Sequence, residues 1–281
     1  MIINTSIKPQ NRTFNPAQKK NPYFANHNTA LQVPTRKISI YDNNKISTHF
    51  ALSFRANNNI EVLKAFENLD ESLKSFDRNV NFVSLNYKTD KVRVKHNKQL
   101  EKDLDTIFNQ FPVLKPTIER NNSHNSKLVT HLLEVTKELV TDPEFQNLPP
   151  ESKRLARICS IFHDAEKRIY LPERGKDHPE IGAKTVVREF SKLGFNEKDL
   201  FAMHQIVKNH HWVGQLNTGV RTADDIALEF KDCPEAFDIS VMLSKADIQV
   251  GGNPDYIRDF KEIFHPGVTT KIKEKMKELQ G

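Results

Sequence analysis

His163 and Asp164 stand side by side in the run IFHDAEK, directly behind an apolar stretch. An imidazole and a carboxylate at such a place can bind a cation, move a proton or pair with each other. Other residues of the same types occupy similar positions. His131 lies three after Leu128, beside Leu132 and four before Val135, so at helical spacing its ring points along the apolar face. His163 is four residues after Cys159, His210 is three after Val207 and four after Ile206, and Asp247 is four after Leu243. Burying these groups without partners would cost roughly several kcal/mol, and a divalent metal would satisfy them together. Taken singly, each histidine could equally be a satisfied core residue, and Asp164 or Asp247 a helix cap or a surface charge. The ordered set His, His-Asp, His, His-His, Asp over successive helices points to metal.

Such a centre needs helices to hold it. Beyond Asn121 the spacing predicts one marked by Leu128, Leu132, Val135 and Leu139, and a second by Leu155, Ile158, Cys159 and Phe162. Three more are predicted over residues 180–193, 197–211 and 236–248, with Pro149-Pro150, Gly194, Gly214 and Gly251-Gly252 as punctuation. Upstream, Ile60, Leu63, Phe66, Leu69, Leu73 and Phe76 recur at helical spacing. The alternation of Val83, Leu85 and Tyr87, then Val92 and Val94 after Lys88-Thr89-Asp90-Lys91, predicts a β-hairpin. A further amphipathic helix around Leu104, Ile107 and Phe108 ends near Pro112.

The expected fold is therefore mainly α. A helical metal-binding domain spans residues 113–281, a small α+β segment spans 48–112, and a disordered basic tail spans 1–47. That tail is rich in Asn, Pro, Lys and Gln and carries the turn pairs Asn15-Pro16 and Asn21-Pro22.

The net charge of +6 over 281 residues is unevenly spread. Residues 1–58 hold eight Lys/Arg against the single acid Asp42, or +7, which leaves the remaining 223 at −1. A basic tail is compatible with RNA or partner binding and equally with a solvated leader, whereas the body is not an electropositive nucleic-acid surface. No stretch approaches the ~20 apolar residues of a membrane span, and no charged-then-apolar signal opens the chain, so a cytoplasmic, membrane-free protein is expected. Cys159 and Cys233 form no CxxC pair and are expected to be reduced core thiols.

His131 in THLLEV, the pair His163-Asp164 in IFHDAEK and Asp247 in LSKADIQV together resemble the H…HD…D pattern of the HD-domain superfamily of metal-dependent phosphohydrolases. His178 in DHPEIGA and the run KNHH ending in His210-His211 are similar to the extra histidines of members that hold a second metal. The resemblance covers residues 121–250. Glu166 stands where many relatives carry glycine in HDxGK, and Lys167 is kept.

The resemblance implies an HD-type helical bundle binding one or two divalent transition-metal ions, Mn, Fe, Co, Ni or Zn. His131, His163, Asp164 and Asp247 would hold the first ion. Asp164 would bridge to a second on His178, His210 and His211, the last joining only if the helix end unwinds to present both rings. A metal-activated hydroxide would then attack phosphorus, with Lys167 giving its charge to a phosphate oxygen or its proton to the leaving group. Glu166 is read as either an acceptor for a ligand imidazole or an exposed residue, and exposure is expected. The implied substrate is a nucleotide or another small phosphate ester. A cyclic or dinucleotide phosphodiesterase, a non-catalytic nucleotide-binding HD module, and an RNA-processing enzyme guided by the tail are the alternatives.

Overall fold

A computed structural model describes residues 47–119, 127–167, 177–251 and 266–281. The expected tail lies outside the described residues except for Ser47, which already opens a helix. Helix α1 spans Ser47–Ser72. Its buried face is Val62, Ala65, Phe66 and Leu69, continued past the helix end by Leu73 and Phe76, while Ile60 is exposed. The apolar stripe thus runs beside Ile60 rather than through it.

The hairpin forms from β1 (Val83–Asn86) and β2 (Lys91–Val94), antiparallel with Val83 opposite Val94 and Leu85 opposite Val92. Alternation buries Val83, Val92 and Val94 on one side. Tyr87 belongs to the turn and is exposed, and Asp90 takes the left-handed conformation there with φ 53°. Helix α2 (Lys98–Gln110) is capped by Asn97, whose side chain accepts from the Leu100 N–H at 2.9 Å. A 3₁₀ turn over Pro112–Ile118 follows.

The helical part continues with α3 (Leu128–Thr141), α4 (Pro143–Gln146), α5 (Pro150–Phe162), α6 (His178–Ser191) and α7 (Glu197–Lys208). After it come α8 (Trp212–Asn217), α9 (Ala223–Phe230), α10 (Pro234–Gly251) and α11 (Pro266–Gln280). Two expectations need correction. The helix expected over 197–211 stops at Lys208, and Gly214 lies inside α8 rather than between elements. The short α4, α8 and α9 have too few periodic apolar positions to be read from spacing alone, whereas α11 carries Val268, Ile272, Met276 and Leu279 at helical spacing and was not among the expected helices.

The described residues form one compact unit with a continuous apolar core. Phe162, the last residue of α5, sits edge-on to Phe111 and Phe190 at 5.4 and 5.6 Å between ring centroids, and Phe111 stacks on Phe190 at 4.9 Å. Phe66 of α1 tilts against both Phe111 and Phe190. Arg157 of α5 donates two bonds to the Asp70 carboxylate of α1, at 2.7 and 2.5 Å. The end of α5, where the His-Asp pair follows, is therefore fixed by aromatic packing and a bidentate ion pair. Among the described residues no helix is long and apolar enough to cross a membrane.

Candidate metal centre

Helix ends aim the histidines. The last carbonyls of any helix lack an intrahelical N–H partner. Helix α5 stops at Phe162, and the His163 ring takes one of these orphans: its Nδ1–H donates to Ser160 O at 2.8 Å. Helix α7 stops at Lys208, and the His210 Nδ1–H donates to Val207 O at 2.7 Å. A carbonyl can only accept, so both rings carry their proton on Nδ1 and present Nε2 to the interior. The peptide carbonyl of His210 accepts from Ser244 Oγ of α10 at 2.7 Å, which holds this turn against the bundle. His178 opens α6 just before Pro179, a residue suited to a first helical turn. His131 lies in the first turn of α3, and Asp247 in the last turn of α10, which packs on α3. Gly182 lets α6 close on its neighbours, since a Cβ there would stand 3.3 Å from Val207 Cγ1 and 3.6 Å from His163 O.

These elements converge on Asp164, which is fully buried. Its two carboxylate oxygens face different partners. Oδ1 is 3.0 Å from His178 Nε2 and 3.4 Å from His210 Nε2. Oδ2 is 3.5 Å from His131 Nε2, 3.8 Å from His163 Nε2 and 2.8 Å from Lys167 Nζ. Asp247 Oδ1 completes that side, 3.0 Å from His131 Nε2 and 3.8 Å from His163 Nε2. Two sets of ligand atoms result, each close enough to share one ion: Asp164, His178, His210 and His211, and His131, His163 and Asp164. Asp164 belongs to both. The His210 and His211 ring centroids are 3.9 Å apart, because the chain turns after Lys208 instead of continuing the helix.

The bare Nε2 atoms of His163 and His210 and the Oδ1 of Asp164 are buried without a hydrogen-bond partner. Lone pairs facing a carboxylate oxygen repel, and a cation between them removes the conflict. These buried His/Asp groups could hold a metal ion.

The electrostatics suit such a role. Burial would raise the Asp164 carboxyl, but Lys167, His163, His131 and His178 outweigh it and hold it well below the usual range. Asp247 is likewise held low, against its own burial, by His131 and His163. Burial depresses His210, and burial with the neighbouring His210 pushes His211 down to about 2, which leaves these rings neutral and able to donate a lone pair. Burial alone would also lower His131, yet Asp164 and Asp247 overcome it and raise that ring to about 9.

A pH dependence follows for metal-free protein. The folded His131 lies above its ordinary value, so its pairing with the two aspartates is fully present below pH ~6.5 and is lost as the pH rises through about 9. The melting temperature of chelator-treated protein should fall across that window, and His131→Asn should flatten the fall. At the acid end, the low Asp164 and Asp247 contribute above pH ~4 and cease to do so as they protonate. Ions compete with the His131 proton, so added Mn or Zn should raise the melting temperature by a margin that widens toward alkaline pH.

All seven ligand-type residues read from the sequence meet here, with Lys167 on the rim at 30% side-chain exposure. Glu166 is a correction. Expected to be exposed, it is buried and accepts from Thr185 Oγ1 of α6 at 3.4 Å, a contact across a loop that spacing does not reveal. Spacing also gave no hint of the network behind His210. Buried Asn209 donates to Gln205 O and Gln205 Oε1, both at 3.0 Å, and accepts from Arg221 Nη1 at 2.7 Å.

Comparison with protein-family models, curated proteins and solved structures gave no match.

Proposed function

We propose that this chain is a metal-dependent phosphohydrolase acting on a phosphoester of a nucleotide or another small phosphate ester, as its likeness to the HD-domain pattern implies. One observation carries the reading: the two oxygens of buried Asp164 face two separate groups of imidazoles. That is the arrangement a bridging carboxylate needs to hold a pair of ions. The nitrogen and oxygen donors, with no sulfur among them, suit Mn, Fe, Co, Ni or Zn. Cys159 stays outside both sets of ligand atoms.

Ions held there would lower the pKa of a water and neutralise phosphoryl oxygens. The residues do the positioning. His163 and His210 arrive with their tautomers set by backbone carbonyls, so no proton must be moved before they bind. The Asp164 and Asp247 charges draw cations into the site. Lys167 keeps its ammonium beside Asp164 at the exposed edge, where a phosphate oxygen would meet it.

The test pairs elemental analysis with a substrate panel of nucleoside mono-, di- and triphosphates, a cyclic nucleotide, a dinucleotide and a generic aryl phosphate. Metal content near stoichiometric and hydrolysis that stops on chelation are expected. Protein that takes up none of the five metals on addition ends the reading. Protein that binds metal and nucleotide without turnover makes the chain a binding module.

A further inference from the structure

We infer that Arg221 is a positioning residue for the His178–His210–His211 half of the centre, acting through Asn209; the inference rests on the two-ion reading of the site. Asn209 caps α7 and immediately precedes His210, and it is 2% exposed. Its amide nitrogen is committed to Gln205, so its one oxygen points away from the helix and needs a donor. Arg221 Nη1 supplies it at 2.7 Å.

The guanidinium is itself held on several sides. Its Nη1 reaches Gln215 Oε1 of α8 at 3.4 Å, its Nη2 donates to Asp225 O in the first turn of α9 at 3.0 Å, and the Glu229 carboxylate lies 3.7 Å away. The backbone N–H of Arg221 donates to Gln215 O at 3.2 Å. Helix α9 in turn is fixed by a capping box between Thr222 and Asp225. Arg221 thus braces the turn that carries His210 and His211 against two further helices.

Without Arg221 the Asn209 oxygen is buried with no donor, and flipping the amide to recover one would set oxygen against Gln205 O. Either outcome disturbs the last turn of α7. The His210 ring hangs from that turn through Val207 O, and metal ligands tolerate errors of only about 0.5 Å. The other half is built differently. His131, Asp164 and Asp247 come from α3, the end of α5 and α10, whereas the Arg221 bonds go to Asn209, Gln215 and Asp225. The loss should fall on one ion.

The experiment titrates metal-free wild type, Arg221→Met and Arg221→Lys with Mn and with Co, following binding by calorimetry and the Co absorption bands. Wild type should take two ions. Arg221→Met should keep one affinity and weaken the other by about 10- to 100-fold. Arg221→Lys, able to make one bond to Asn209, should fall between. If Arg221→Met weakens neither ion, or both alike, the inference is overturned while the two-ion reading stands; a wild type that takes fewer than two ions overturns that reading instead. Should Arg221→Met fail to fold, the lysine variant carries the same comparison, because it lacks the arm that reaches α9.

Discussion

Asp164→Asn is expected to strip both ions and to lower turnover by on the order of 10³-fold or more, while the metal-free protein stays folded. The two parts of that expectation come from the same geometry. Asparagine keeps the shape of the buried side chain, so the turn after α5 need not move. It keeps one oxygen, however, where Asp164 uses two, one toward His178 and His210 and the other toward His131 and His163. The new amide N–H groups can donate to bare imidazole nitrogens, which satisfies them without metal. Formal negative charge in the centre drops from two carboxylates to Asp247 alone. Metal per chain and melting temperature with and without chelator are the measurements. Wild type should lose melting temperature on chelation and the variant should not. A variant that retains both ions would show that Asp164 does not bridge.

Much of this centre was legible because its residues sit where a helical period is easy to count. His131, His163, His210 and Asp247 fall one turn from apolar neighbours that the fold buries, and the order of the set matches the order in which α3, α5, α7 and α10 enter the bundle. What spacing cannot show is how a helix ends. Whether α7 ran on to residue 211 or stopped at Lys208 decided whether His211 could join His210, and that depends on Asn209 capping the helix and on Arg221, twelve residues later, bonding to it. Side-chain bonds across a loop leave no period. The burial of Glu166 was hidden for a related reason, since its contact with Thr185 of α6 also reaches across a loop.

The same logic separates a one-ion centre from a two-ion centre. His131, His163, Asp164 and Asp247 already offer four donors, enough for a single ion with open positions for water and substrate. In that scheme His178 and His210 would be spectators. Spectator histidines in a core normally satisfy both ring nitrogens. Here His210 spends Nδ1 on Val207 O and leaves Nε2 bare, 3.4 Å from an Asp164 oxygen that also lacks a hydrogen-bond partner. His178 Nε2 approaches that same oxygen at 3.0 Å from a different helix. His178→Ala and His210→Ala should each lower bound metal from about two ions toward one and turnover by on the order of 10²-fold or more, as half of the charge clamping the phosphoryl group is lost. The residual ion should be bound as tightly as in wild type, because its own ligands are untouched. His131→Ala supplies the contrast by weakening the opposite ion. His211→Ala should behave like the His178 and His210 variants, since α7 stops at Lys208 and brings its ring into the same ligand set. Full metal content and unchanged turnover in both the His178 and His210 variants would leave a mononuclear enzyme and return those two rings to a structural role.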